Sequence, residues 1–327
     1  MRRTLVLAVI ALAAHLHGVA GAAAQSWPTR PVSMVVPFAP GGSVDVMGRI
    51  LAARMSEVLG QQVIVENIPG AGGMLGSARV AKAMPDGYEF VLGIAGTHAQ
   101  NQTLYKHPLY DAATDFAPVA LIAEQPTVLV TRKDLPPDSL PEFIAYAKAN
   151  QAKMQYGSAG AGSANHLACV LLNADIGVNV THVPFRGGGP AMQELLGGRI
   201  DYMCNILTTA LPQIEAKTVK PIALLAARRS PILPSLASAG EQGLPNFDAS
   251  TWYAVFLPKG TPAPVVHKLH DAIEATVSTP AVQERLKDIG ADLVAPERRS
   301  PDYLAKFVVS EIARWAAPIK ASGVSMD

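Results

Sequence analysis

Short apolar runs alternate with helix-spaced apolar residues along the first third of the chain. The run at residues 32–36 predicts a strand, and further runs at 63–66 and 88–94 predict two more. A helix that ends at Gly60 is predicted between the first two strands by apolar residues at helical spacing, namely Met47, Ile50, Leu51, Met55 and Val58. This βαβ rhythm indicates strands with helices on both faces of a sheet.

The same alternation restarts at Thr127 and continues to the end of the chain. Further strands are predicted at residues 128–131, 154–156, 180–184, 200–204, 221–226 and 252–257. Further helices are predicted around Phe143 and at residues 191–196, 265–277, 282–289 and 303–322. Because a single sheet with this many strands would be unusual, the pattern predicts an α/β protein with two lobes, each built on a mixed, mainly parallel sheet.

We expect the first lobe to combine residues 25–126 and 251–327, and the second lobe to hold residues 127–250. The chain then crosses between the lobes near Thr127 and near Ser250. Two such crossings form a hinge, and a hinge between two lobes makes a cleft that can close.

Each predicted lobe contains one glycine- and serine-rich turn between a strand and a helix. The first elbow is residues 37–45 (PFAPGGSVD), and the second elbow is residues 156–166 (YGSAGAGSANH). A helix start leaves about four backbone N–H groups unpaired and carries a partial positive charge. Glycine lets a ligand approach that backbone, and serine adds hydroxyl donors. Two elbows that face each other would hold a small anion, most naturally a carboxylate.

The N-terminus has the pattern of a secretory signal peptide. Arg2 and Arg3 precede an apolar stretch, and three small residues end at Ala24, where we expect cleavage. A membrane anchor is the alternative, but His15 and His17 interrupt the apolar run and make it short for a span. Without residues 1–24 the chain loses two arginines and no acid, so its formal charge changes from +1 to −1. We therefore expect a periplasmic protein with no nucleic-acid partner.

The two cysteines, Cys169 and Cys204, allow two interpretations. An exported protein can pair them as a disulfide, but two separate buried thiols are favoured, because the sequence does not place their Cα atoms within bridging distance. A zinc site is not expected at this wide spacing. The glycines of residues 70–73 resemble a dinucleotide loop, yet Leu75 replaces the third required glycine, so no cofactor is expected.

Short motifs along nearly the whole chain resemble the Bug family, the TctC-type periplasmic receptors of tripartite tricarboxylate transporters. In the first half these motifs are 27–31 (WPTRP), 35–42 (VVPFAPGG) with Asp45, 65–67 (VEN), 70–73 (GAGG), 85–88 (PDGY) and 115–119 (DFAPV). In the second half they are 158–160 (SAG), 166–167 (HL), 182–187 (HVPFRG), 252–253 (WY) and 258–262 (PKGTP). Their order and coverage make the resemblance specific.

The resemblance implies a monomeric, two-lobed flytrap receptor without catalytic activity or cofactor. In such receptors the elbows hold one ligand carboxylate, directly and through ordered waters. Carried over by motif, the ligand-binding residues are Phe38, Gly42 and Ser43 in the first elbow, Ser158, Ala159, Gly160, Ser163 and His166 in the second, and Thr97 and His98 on the cleft wall. His166 has the alternative role of bracing a helix, and His98 that of a solvated loop residue.

Two further residues bear on the ligand. Arg186 is followed by three glycines, where it can contact a ligand carboxylate or form an ion pair between the lobes or at the surface. Asn205 stands where the family commonly has an acid. It keeps hydrogen-bonding capacity but removes a charge, which favours a dicarboxylate or related organic acid over an amino acid.

The implied partner is the membrane part of a tripartite tricarboxylate transporter. A periplasmic sensor that presents its ligand to a membrane kinase is the alternative, because it would share the fold and the site. A hydrolase with Ser158 and His166 as nucleophile and base is a weaker alternative, since the sequence signals no orienting acid.

Overall fold

Two β-sheets form the frame of the protein, which a computed structural model describes over residues 27–327. The predicted signal peptide, residues 1–24, lies outside the described residues. The strands are β1 (Val32–Val36), β2 (Val63–Asn67), β3 (Glu89–Ile94), β4 (Phe116–Gln125), β5 (Thr127–Arg132), β6 (Gln155–Ser158), β7 (Thr181–Pro184), β8 (Tyr202–Ile206), β9 (Val219–Leu224), β10 (Thr251–Pro258) and β11 (Asp292–Leu293).

Helices cover both faces of both sheets. They are α1 (Ser43–Leu59), α2 (Met74–Ala81), α3 (Asn101–Leu104), α4 (Leu140–Asn150), α5 (Ala164–Ile176), α6 (Gly188–Leu196), α7 (Leu207–Glu215), α8 (Ala263–Val277), α9 (Pro280–Asp288) and α10 (Pro301–Ala321). Two short 3₁₀ turns span Ala71–Gly73 and Pro296–Arg298, and a π-helical turn spans Gly96–Gln100.

The first sheet has six strands in the order β11-β4-β10-β3-β1-β2, and the second has five in the order β7-β6-β8-β5-β9. Strand β1 is parallel to both β2 and β3, and β6 is parallel to both β7 and β8. The remaining pairings in both sheets are antiparallel. The first sheet therefore takes strands from both ends of the described chain.

The apolar residues at helical spacing pack as the sequence pattern requires. In the first lobe, Met47 and Leu51 of α1 share one core with Leu269 of α8, and α2 and α10 cover the opposite face of the sheet. In the second lobe, α4 and α5 bury one face, and α6 and α7 bury the other. Because helices bury both faces of each sheet, strands such as β1 are apolar along their whole length.

The predicted two-lobed α/β fold with mixed sheets is confirmed, but β11, α3 and α7 were not predicted, and further details differ from the pattern. Strand β4 was not predicted, although it lies within the first sheet. Antiparallel pairing is more extensive than the βαβ rhythm indicated, because the crossing strands β4, β5 and β10 run inside the sheets. Strand β8 extends to Ile206, so Asn205 pairs with Val128 inside the strand rather than following it.

The interpretation of the cysteines as separate thiols is wrong. Cys169 of α5 and Cys204 of β8 form a disulfide with their Cα atoms 5.3 Å apart. Helix α5 packs directly on β8, which brings residues 35 positions apart in sequence within bridging distance. The disulfide thus ties the helix that begins at the second elbow to the strand that carries Asn205.

Replacing both cysteines, as in C169A/C204A, should lower the free energy of unfolding by about 3–4 kcal/mol, because an open loop of this length gains conformational entropy in the unfolded chain. Denaturant unfolding of the oxidised wild type and the double variant measures the difference. A reducing agent should destabilise the wild type and leave the variant unchanged. Equal stability of the oxidised wild type and the variant would contradict this account.

Candidate functional site

The first elbow faces the amino terminus of α6 across the space between the lobes. A methyl group built on Gly42 would lie 3.6 Å from the amide nitrogen of Gly188 and 3.9 Å from that of Gly189. Gly42 is also the residue directly before α1. Two helix starts, one from each lobe, therefore lie next to each other, and helix starts carry unpaired N–H groups and partial positive charge.

Asp45, in the first turn of α1, gives the first elbow its shape. Its carboxylate accepts hydrogen bonds from the Gly41 amide at 2.9 Å, from Asn67 Nδ2 at 2.9 Å and from Arg49 Nε at 3.0 Å. Burial alone would raise the pKa of Asp45, but the hydrogen bonds from Arg49, Gly41 and Asn67 hold it below its usual value. Asp45 is thus ionised and holds the first elbow in place, and partners within the first lobe already balance its charge.

The second elbow lies against the first lobe at a different point. A Cβ atom built on Gly72 would lie 2.6 Å from the Ala161 carbonyl oxygen. A Cβ atom built on Gly96 would lie 3.0 Å from the Ala164 nitrogen. Tyr105 of the first lobe donates a hydrogen bond to the Ala161 carbonyl at 3.2 Å. The 70–73 turn and the second elbow therefore form a close contact between the lobes, in which only glycine fits at Gly72.

Three side chains of the second elbow form hydrogen bonds with its own backbone. Ser158 Oγ accepts from the Gly160 amide at 3.1 Å and is hydrogen-bonded to His182 Nε2 at 2.7 Å. His166 Nδ1 accepts from the Gly162 amide at 3.2 Å, while Ser163 Oγ caps α5 by accepting from the His166 amide. The side chains of Ser158, Ser163 and His166 are thus bonded to the elbow's own backbone or to its neighbours.

Stacked rings support these contacts. The rings of His166 and His182 lie 4.1 Å apart, and Tyr156 stacks on His182 at 4.9 Å. Burial lowers the pKa of His166 to about 4, and burial together with the charge of His166 lowers that of His182 to about 3. Both rings are therefore neutral at neutral pH, as His166 must be for Nδ1 to accept a hydrogen bond.

The polar side chain of Asn205 lies close to the start of α6. Asn205 is 1% exposed, and a Cβ on Gly188 would be 3.3 Å from Asn205 Oδ1 and 3.7 Å from Thr209 Oγ1. Within residues 27–327, Asn205 Nδ2 and Thr209 Oγ1 are buried atoms without a hydrogen-bond partner. Buried polar atoms are nearly always paired, so these two point to a group that completes them.

Hydrogen bonds also join the lobes at the base of this region. Gln125, the last residue of β4, exchanges hydrogen bonds with the Thr208 hydroxyl and accepts one from Tyr253 at 2.8 Å. The Tyr253 hydroxyl in turn lies beside Ser43, the first residue of α1. Ser43 is therefore connected through Tyr253 and Gln125 to the first turn of α7.

Three further residues that were predicted to bind the ligand, Phe38, Thr97 and His98, lie in two environments. Phe38 packs in one apolar cluster with Ala159 and Ala164 of the other lobe, and Gly73 lies close to both Phe38 and Thr97. His98 is fully buried within the first lobe, where its ring stacks on Phe256 at 4.0 Å. The structure thus brings Phe38 and Thr97 toward the interface of the lobes and places the His98 ring in the core beside it.

Arg186 lies at the rim of the cleft with an exposed side chain. Its carbonyl oxygen accepts from the Ala39 amide at 3.1 Å, a backbone hydrogen bond between the lobes. A cavity of about 460 Å³ opens beside it between the lobes, and its lining includes Gly72, Tyr105, Ala159 and Gly160. Arg186 is thus available to meet an anion at the cavity mouth.

The chemistry offered by this region is hydrogen-bond donation to an anion. Ser158 and His182 have the spacing of a nucleophile and a base, but Ser158 is fully buried, and no carboxylate in residues 27–327 is hydrogen-bonded to His182. Across the same residues no cluster of three or more metal-ligating side chains occurs. None of the helices in that part of the chain is both long enough and apolar enough to cross a bilayer.

Several residues of this region were not predicted. They are Gly72, Tyr105, Gln125, Asn165, His182, Gly188, Thr208, Thr209 and Tyr253. One signal was present, because residues 187–190 (GGGP) at the start of α6 are rich in glycine, as the elbows are.

Comparison with known proteins gives one consistent result. Residues 47–324 match the family described as "Tripartite tricarboxylate transporter family receptor". A curated relative, the UPF0065 protein in the TAR-I ttuE-ttuC' intergenic region of Agrobacterium vitis, is 40% identical over 97% of this chain and 91% of its own length.

Solved structures agree with this match. The periplasmic binding protein BugD is 40% identical with a TM-score of 0.88, over 92% of this chain and 100% of its own. MatC of Rhodopseudomonas palustris, solved with bound malate, is 41% identical with a TM-score of 0.87, over 90% and 100%. Rpa4515 of R. palustris, solved with adipate, is 36% identical with a TM-score of 0.87, over 91% and 99%.

The stacked histidines predict a pH dependence. In the folded protein their pKa values lie below the ordinary value of 6.5, so the folded state binds fewer protons than the unfolded state. The free energy of unfolding is therefore unaffected by these histidines above pH 6.5. It falls as the pH drops toward 4, because the unfolded state then takes up protons that the folded state does not. His182→Gln should make this fall in the free energy of unfolding shallower, as measured by denaturant titrations between pH 4 and 7.5. A wild-type profile in H182Q would refute the prediction.

Proposed function

The chain belongs to the tripartite tricarboxylate transporter receptor family, which includes the Bug periplasmic binding proteins, and from this premise we propose that it captures a small dicarboxylate by closure of its two lobes. The captured acid is then delivered to the membrane subunits of a tripartite tricarboxylate transporter. We further propose that residues 1–24 direct the chain to the periplasm and are removed after Ala24.

The observation that carries this proposal is the opposition of two helix starts from different lobes. The starts of α1 and α6 lie against each other at Gly42 and Gly188, and the charge of Asp45 is already balanced by its own partners. An anion between two helix starts is stabilised by both partial charges and by the free N–H groups. A carboxylate is the organic anion that fits such a small gap between backbones.

The ligand class follows from the neighbouring donors. The free amide of Asn205 and the hydroxyl of Thr209 favour a second oxygen-rich group on the ligand. Two of the similar proteins were solved with malate and with adipate, both of which are dicarboxylates. We therefore propose that Gly42, Ser43 and Asn205 contact the ligand and that Ala159, Gly160 and Arg186 line its entrance, while Ser158, Ser163 and His166 shape the second elbow.

A role as a ligand-presenting sensor would use the same site and differ only in its partner. Uptake of the bound acid by the native host distinguishes the two roles. Loss of uptake on deletion of this chain supports transport, whereas unchanged uptake with loss of a transcriptional response supports sensing. No observation favours a hydrolase, because the Ser158 hydroxyl is buried.

Titration calorimetry with succinate, malate, glutarate, adipate and citrate tests the proposal. At least one dicarboxylate should bind, and solution scattering should show compaction with that acid, since a ligand shifts a conformational equilibrium only through its preference for one state. Acetate serves as the control for a single carboxylate and should bind more weakly. Absence of binding across the whole panel would refute the proposed function.

Gly42→Val should abolish binding of the acid found in that panel. Its side chain would occupy the gap between the two helix starts, while the backbone at Gly42, with φ −83° and ψ 170°, accommodates a residue other than glycine. Gly42→Ala is the matched control and should weaken binding less, because a lone methyl group makes only ordinary contacts there. Calorimetry measures both variants, and thermal unfolding verifies that each is folded. Wild-type affinity in G42V would show that the ligand does not lie between these helices.

A further inference from the structure

Residues 323–327, which follow α10, form a strap that runs beside Tyr105 of the first lobe. The strap begins at Gly323, whose φ of +68° lets the chain turn back after the helix. Val324 and Met326 then pack on the apolar cluster that contains Tyr105. The strap is therefore attached to the first lobe by its own apolar side chains.

Backbone hydrogen bonds align the strap with residues 104–106. The Met326 amide donates to the Leu104 carbonyl oxygen at 2.8 Å, and the Lys106 amide donates to the Met326 carbonyl oxygen at 2.9 Å. Together they form a parallel bridge between Tyr105 and Met326. Because the two bonds lie on either side of Tyr105 along the chain, the strap fixes the backbone from which this side chain projects.

The side chain of Tyr105 extends from the first lobe onto the second elbow. Its hydroxyl donates to the Ala161 carbonyl oxygen at 3.2 Å, and a Cβ atom built on Gly162 would lie 2.7 Å from the nearest atoms of the Tyr105 side chain. Gly162 also has a φ of +82°, which favours glycine. Since the two partners of the hydrogen bond belong to different lobes, this bond requires the lobes to be together.

The same contact borders the cavity between the lobes. Tyr105 and Met326 line this cavity from the first lobe, and Gly160 and Arg186 line it from the second. Movement of the second elbow away from the first lobe would therefore break the Tyr105 hydrogen bond and widen the cavity.

We propose that Tyr105 is a latch that holds the closed lobes together, and that the strap positions it. The inference rests on the proposed function and deepens it, because it assigns how a captured acid is retained. A hydrogen bond that forms only between closed lobes stabilises only the closed state, so it slows release of the acid. The acid enters while the lobes are apart, so its association depends on the latch much less.

Tyr105→Phe removes the latch hydroxyl and keeps the ring beside Gly162. The dissociation rate of the acid identified by calorimetry should rise roughly three- to tenfold, as expected for the loss of one hydrogen bond between neutral groups, and the association rate should change by less than about twofold. Stopped-flow kinetics measures both rates. Tyr88→Phe is the matched control, because the Tyr88 hydroxyl is hydrogen-bonded to Thr29 within the first lobe, and this variant should keep both wild-type rates.

The role of the strap is tested at Met326. Met326→Pro removes the amide that donates to Leu104, whereas Met326→Ala also loses the methionine side chain but keeps that amide. Dissociation should therefore be faster in M326P than in M326A. The double variant Y105F/M326P should release the acid about as fast as the faster single variant, rather than with the product of the two effects. Circular dichroism and thermal unfolding verify that each variant is folded.

The possible failures are distinguishable. If the wild type binds an acid and Y105F releases it at the wild-type rate, Tyr105 is not a latch, while the proposed function stands. If M326P releases the acid no faster than M326A, or if the effects of Y105F and M326P multiply, the strap does not position Tyr105. If the wild type binds none of the acids in the panel, the proposed function fails and this inference fails with it.

Discussion

The approach of two helix starts across the cleft is the constraint on which the rest of the structure depends. Helices α1 and α6 bring their partial positive charges together at Gly42 and Gly188, where a methyl group built on Gly42 would be in ordinary contact with the Gly188 nitrogen. The two helix starts carry like partial charges, and the carbonyl oxygens of Pro40 and Gly41 in the first elbow also lie against Gly189 of α6. In the function that we propose, an anion between the helix starts stabilises this contact, so ligand binding and closure of the lobes become one process.

The glycine elbows that create this contact are flexible in isolation, and side chains behind them remove that freedom. Asp45 binds the Gly41 amide, Ser158 binds that of Gly160, and His166 binds that of Gly162. If the elbows bind the ligand as we propose, none of these three side chains needs to contact it to affect its binding. By holding the backbone donors in place beforehand, they reduce the ordering that binding would otherwise require.

The sheets place these parts where they can meet. Helix α1 follows β1 in the first sheet, and the second elbow follows β6 in the second, so each elbow lies at the carboxyl end of a parallel strand, the common ligand position in open α/β sheets. Where the chain crosses between the lobes, Gln125 links Tyr253 to Thr208. The base of the cleft is thus a hydrogen-bonded connection between the lobes.

The sequence by itself determined the two lobes, most strands and helices, and both elbows, because apolar periodicity and glycine-serine turn chemistry are local properties. It did not reveal strand β4, the disulfide, the bond of Ser158 to His182, or the pairing of Asn165 with Asn205. These features join residues far apart in sequence, and they depend on which helix packs on which strand. Only the tertiary structure decided that α5 lies on β8, and that packing closes the disulfide and pairs the two asparagines.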